Sequence, residues 1–171
     1  AEQRLDLPCG VHPAGGGTED PSFYASVNPK SVAYYFVQED WQIDILEANK
    51  DPRLQEVDKR TRDLLGYGMS AYVSQGVSAT YVIADALERA KSADRQKLRD
   101  ALATTDITEG PALFPGYQRI KFDEQGQNTF AHGVISQNID GKRRTVWPLE
   151  NRLSSTKPVW PVPAWSKRAA N

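Results

Sequence analysis

The sequence predicts an α/β chain. Three helical patterns follow one another between residues 51 and 102, and short strand patterns stand on both sides of them. At 171 residues, with 39% hydrophobic and 25% charged residues, the chain is long enough and apolar enough to bury a core. A formal net charge of −1 gives no footprint for nucleic acid or for an anionic membrane surface. No apolar run approaches the length of a membrane-spanning helix. The sequence opens without Met and without a signal peptide, as a mature secreted protein does and as an internal piece of a longer protein does.

Taken in order, Leu5–Val11 reads as a short buried strand and 13–21 as a loop, since its glycines accept positive φ and its prolines stop regular structure. Ser31–Val37 is rich in β-branched and aromatic residues and reads as a second strand. Asp51 and Pro52 are a cap and first residue for a helix, Leu54, Val57, Thr61, Leu64 and Leu65 recur along it, and Gly66 and Gly68 end it. The next helix carries one apolar stripe, Val73, Val77, Thr80, Tyr81, Ala84 and Leu87, with Gln75, Ser78, Asp85 and Arg89 facing away. Ser92 is placed to cap a third helix, whose inner face has Leu98, Ala101 and Leu102. From Gly110 the pattern changes to strands at Ile120–Phe122 and Phe130–Asn138, and a turn at Asp140-Gly141 leads to Thr145-Val146-Trp147 as a hairpin. The Pro-rich tail from Lys157 to Trp165 is extended, with Trp160 and Trp165 laid on a surface.

The motifs of common catalytic sites are missing. His12 and His132 are not spaced as a helical metal pair, and neither a Gly-x-Ser-x-Gly elbow nor a Gly-x-x-x-x-Gly-Lys loop occurs. Gly15-Gly16-Gly17 has the wrong spacing for a dinucleotide turn. Asp123-Glu124 with Gly126 lacks the alternating oxygen ligands of a calcium loop and reads as a solvated turn. Cys9 is the single cysteine and has no basic neighbour in sequence to activate it, so a small buried side chain is expected. No cofactor and no metal are expected.

Three pieces of the chain resemble one known family. They are Gly15-Gly-Gly-Thr-Glu-Asp-Pro-Ser-Phe23, Ser70-Ala-Tyr-Val73 continuing to Ala90, and Arg119-Ile-Lys-Phe-Asp-Glu-Gln-Gly-Gln-Asn128 with Asp140-Gly-Lys and Val146-Trp-Pro148. In that order they resemble periplasmic solute-binding proteins of the leucine/isoleucine/valine-binding type, which serve ABC importers. The resemblance implies a type I periplasmic-binding-protein fold, two Rossmann-like α/β lobes hinged around a small ligand. Family members are about twice this length, so it implies a C-terminal half contributing to both lobes. Residues 1 to about 30 are then the end of a second-lobe segment, 31 to 129 the return segment of the first lobe, and 130 to 171 a second-lobe hairpin and tail.

The same resemblance supplies the expected site. Gly16 and Gly17 match the loop where amino-acid binders place an acid for the ligand's ammonium, with Glu19 and Asp20 displaced nearby; a tight turn with no ligand is the other reading. Tyr72 matches an aromatic that packs on the ligand, or simply ends the apolar stripe of its helix. Trp41 falls on a loop bordering the cleft. His12 is a donor for an anionic ligand or a satisfied strand-end histidine. The implied function is extracytoplasmic, periplasmic capture of an amino acid, carboxylate or amide, without catalysis. The implied partners are the solute, an inner-membrane ABC permease and the N-terminal half. The alternative is a ligand-sensing receptor or regulator on the same scaffold.

Overall fold

The computed structural model describes residues 7, 8, 10, 12, 23, 26–48 and 51–168. In order, the elements are α1 (Pro29–Val32), β1 (Phe36–Glu39), α2 (Ile43–Ala48), α3 (Pro52–Leu65), α4 (Ala71–Ala90), α5 (Arg95–Ala103), β2 (Asp106–Ile107), β3 (Ile120–Lys121), β4 (Val134–Ile139) and β5 (Lys142–Trp147). Single 3-10 turns occupy Pro111–Leu113, Leu149–Asn151 and Trp165–Lys167. The chain divides into two compact units, Ala1–Asp44 with Gly133–Asn171, and Ile45–His132.

The first unit is built on an antiparallel sheet in the order β1-β4-β5. Phe36 pairs with Gln137 and Glu39 with Val134, while Ser136 pairs with Thr145 and Ile139 with Lys142. Asp140 and Gly141, both at positive φ (51° and 72°), make the tight turn between β4 and β5 whose twist matches the flanking strands. One face of this sheet carries Val37, Glu39, Ser136 and Thr145, all buried. The other carries Phe36, Gln137, Lys142 and Arg144, and the tail runs over it. Gln137 fixes that tail by both ends of its amide: Nε2 donates to Val159 O at 3.1 Å and Oε1 accepts from Val159 N at 2.8 Å. Trp160 packs on Phe36 with ring centroids 6.2 Å apart.

The second unit is helical, with one small hairpin. Asp51 caps α3 by accepting from Arg53 N, and Gly66 closes it at φ 74°, as its sequence predicts. Ser70 caps the twenty-residue α4. Ser78 Oγ donates to Ala112 O at 2.6 Å, tying α4 to the 3-10 turn. Arg89 reaches from the end of α4 to Ala101 O (2.7 Å), Thr104 Oγ1 and Thr105 Oγ1, which satisfies acceptors at the end of α5. Val82, Ala112 and Ile120 form the centre of the apolar cluster, flanked by Leu102, Ile107, Leu113, Tyr117 and Phe122.

Several expectations are corrected. Ser31–Val37 is not one strand: Asn28 accepts from Lys30 N and starts α1, and β1 begins only at Phe36. Of Leu5–Val11 the described residues Leu7, Pro8 and Gly10 make a turn, with Gly10 N donating to Leu7 O at 2.9 Å. The strand expected from Phe130 begins at Val134. Asp94, not Ser92, caps α5, accepting from Gln96 N and Lys97 N. The apolar stripe of α4 is not its buried face. Ala71, Ser74, Ser78, Val82 and Ala86 are buried, whereas Tyr81 and Leu87 are exposed. Small side chains let α4 approach the 3-10 turn and α5 closely, and no described element of this unit covers the larger ones. The two compact units divide after Asp44 and after His132. The reason is β1, whose whole ladder is with β4.

Candidate functional site

Trp41 sits on the segment that leaves β1, and two acids hold that segment. Glu39, 2% exposed, accepts from Gln42 Nε2, from Arg143 Nη1 and from Ser136 Oγ. Asp44, with no exposed surface, accepts from Thr145 N at 2.6 Å and Thr145 Oγ1 at 2.7 Å. Burying two carboxylates is costly unless each is matched by donors, and here each is. Trp41 lies between these anchors and is itself 2% exposed. It is a packed side chain within this unit. The network fixes position; nothing in it leaves an acid facing solvent as a general base.

Tyr72 is the second residue of α4 and is 61% exposed. One and two turns further on, Gln75 and Ala79 line a cleft of about 300 Å³ in the same unit. Its other walls are Val82, Tyr117, Ile120 and Phe122, with Asn128 supplying an amide at the edge. Tyr117 meets His132 edge-on at 5.7 Å, and His132 Nδ1 is buried without a hydrogen-bond partner. A largely apolar cleft with a few amide groups suits a small amphipathic molecule or an apolar side chain of another segment. Tyr72 is on the helical face that leads into the cleft without being one of its walls.

Of the other expected site residues, His12 is exposed, while Gly16, Gly17, Glu19, Asp20 and Cys9 lie outside the described residues. Trp41 and Tyr72 belong to different units. Sequence reasoning missed Glu39, Asp44 and Arg143. A signal was present, since acids flank an aromatic in Glu39-Asp-Trp-Gln-Ile-Asp44 directly after an apolar strand. Three surface carboxylates are held below their usual range: Asp51 by hydrogen bonds from Arg53, Glu56 by Arg60, and Asp106 by Arg119. These are exposed ion pairs, not groups poised in a cleft. Among the described residues no cluster of three or more His, Cys, Asp or Glu side chains is arranged to hold a metal ion. No described helix is long and apolar enough to cross a membrane.

The arrangement of helices and antiparallel hairpins is an α/β one, and it has counterparts among known folds. No family model matches the sequence. The chain is similar to the leucine-binding protein LivK of Thermotoga maritima, with a TM-score of 0.59 and 21% identity over 75% of this chain and 34% of that one. It is also similar to an ABC transporter substrate-binding protein of Desulfitobacterium hafniense in complex with Leu, with a TM-score of 0.52 and 17% identity, covering 70% of this chain and 33% of that one. The chain thus spans about a third of the length of these structures. Its fold is the periplasmic-binding-protein fold of these LivK-like proteins, in part. The sequence resemblance and the structural likeness agree on the fold.

Proposed function

We propose that this chain is the C-terminal part of an extracytoplasmic solute-binding protein, located in the periplasm, that captures a small organic solute for an ABC importer. The observation that carries the reading is the shared fold over three quarters of the chain. In this reading the protein binds and delivers, without catalysis, and its partners are the solute and an inner-membrane permease. The two units belong to the two lobes, and Tyr72, Gly16 and Gly17 are the candidate contacts to the solute. His12 is a further candidate contact, and Trp41 acts by anchoring its segment.

The second unit supports this reading. An α/β lobe buries the apolar stripes of its helices against a sheet. Among the described residues, helices α3, α4 and α5 accompany only one pair of two-residue strands, and Tyr72, Ile83 and Leu87 stand exposed along one side of α4. Such a stripe fits strands supplied by the N-terminal half of the same protein. The solute is an amino acid, carboxylate or amide. Because Gly16 and Gly17 carry no charge where amino-acid binders carry an acid, a carboxylate or amide is preferred over a branched-chain amino acid: an unpaired buried ammonium costs several kcal/mol.

The test is a thermal-shift screen of the protein together with the sequence that precedes this chain in its gene. A bound solute at a hundred times its Kd stabilises by about 2.7 kcal/mol. Stabilisation by a carboxylate or amide supports both function and class. Stabilisation by leucine or valine alone keeps the function and overturns the class. No stabilisation by any small solute of either kind overturns the function.

A further inference from the structure

A net charge near zero hides a strong local asymmetry. Between Gly141 and Arg168 the sequence has seven Lys and Arg residues against one acid, Glu150. Part of that charge converges. Lys142 and Arg144 lie two residues apart on β5 and so share a face of the sheet. Arg143, between them, points to the opposite face and is taken up by Glu39. The chain then returns at 153–157 and brings Ser155, Thr156 and Lys157 against the Lys142 and Arg144 face. The result is a groove of about 480 Å³ within the first unit, in which Asp140 is the single acid among the lining residues.

The groove has the chemistry of an oxyanion site. Two ammonium groups and a guanidinium supply charge, and the hydroxyls of Ser155 and Thr156 supply further donors. Ile139 and Leu153 complete the wall, and low-dielectric walls strengthen the field of like charges that line a cleft. Among the described residues neither Lys142 nor Lys157 forms an ion pair, so their charges are not already spent on a neighbour. A carboxylate offers two oxygens; a phosphate group offers more oxygens and more charge, which suits five donors from two chain segments. Charge on an edge strand also deters pairing with other strands, but that purpose requires neither the enclosing turn nor Lys157.

We propose that this groove binds a phosphate-type oxyanion, either free or as the headgroup of an anionic lipid. The proposal does not depend on the solute reading. The test uses the longer protein that carries this chain, titrated calorimetrically with inorganic phosphate at an ionic strength held constant with chloride. In parallel, sedimentation is measured with vesicles of phosphatidylglycerol and of phosphatidylcholine. Phosphate binding that weakens at least tenfold in Lys142→Gln/Lys157→Gln, and not in Lys59→Gln/Lys97→Gln, supports the site; the control removes the same charge from exposed positions on α3 and α5. Phosphatidylglycerol binding lost in the first variant identifies the lipid as a source, and phosphate binding without it identifies the free anion. If phosphate and phosphatidylglycerol bind no better than chloride and phosphatidylcholine, or both double variants weaken binding equally, the groove is only a charged surface and the proposal fails.

Discussion

Replacing Asp44 tests the network that holds the Trp41 segment against the sheet. Its carboxylate is fully buried and accepts both the backbone N–H and the hydroxyl of Thr145, at 2.6 and 2.7 Å. A hydrogen bond to a charged acceptor contributes ~1.5–3 kcal/mol, and Asp44 accepts two from Thr145. Asp44→Ala is therefore expected to destabilise this unit by ~3–5 kcal/mol, since the buried Thr145 N–H loses its partner. Asp44→Asn keeps an acceptor for that N–H and turns its amide to a hydroxyl able to accept, so ~1–2 kcal/mol is expected. All four tryptophans, Trp41, Trp147, Trp160 and Trp165, lie in the unit that contains Asp44. Denaturant unfolding followed by tryptophan emission thus reports this unit. Alanine and asparagine variants that both unfold within about 0.5 kcal/mol of the parent, the range of surface substitutions, would refute the reasoning.

Three further outcomes are expected. The Asp106–Arg119 pair stabilises the folded state fully above the ordinary aspartate range and loses that contribution as pH falls through the lowered folded value; an NMR titration should show the Asp106 pKa rising in Arg119→Gln, and an unmoved titration contradicts the assignment. Ile83→Ser and Leu87→Ser should each cost ~1.5–3 kcal/mol in the longer protein, by loss of apolar burial, yet stay within about 0.5 kcal/mol in the 171-residue chain alone. Equal effects in the two contexts would mean that nothing covers α4. Tyr72→Ala in the longer protein should weaken solute binding by ~1–3 kcal/mol in calorimetry, and unchanged affinity with the fold intact removes Tyr72 from the site.

What the sequence made legible was local chemistry. Both ends of α3 could be read from Asp51, Pro52 and Gly66, because capping involves residues next to one another. The β4–β5 turn could be read from Asp140-Gly141 for the same reason. The misreadings came from what is distant. Glu39 and Asp44 look like surface acids until Arg143 and Thr145, more than a hundred residues later, are laid beside them. Ser31–Val37 has strand composition, but Asn28-Pro29 is a helix start, and Tyr34 adopts φ 64° before β1 begins. In α4 the period correctly separated two faces. Hydrophobicity alone did not say which face this chain covers, because the answer depends on what else is present to pack on it. For the site, Tyr72 is exposed, Trp41 is buried, and the glycine loop lies outside the described residues.

The two units differ in how they satisfy their interiors, and that difference bears on function. In the first, each buried acid has a donor within the unit, and the tail is held to the sheet by the Gln137 amide. In the second, the cluster around Val82 and Ile120 is small, while large apolar side chains on α4 remain in water. Hydrophobic burial is the main favourable term in folding, so a unit that leaves such a stripe exposed gains most from further chain. The stability of that unit should then depend on the segment that completes it. A covering segment that fits the α4 stripe better in the solute-bound protein than in the empty one would link solute binding to the order of this unit, by an amount equal to its difference in affinity for the two states.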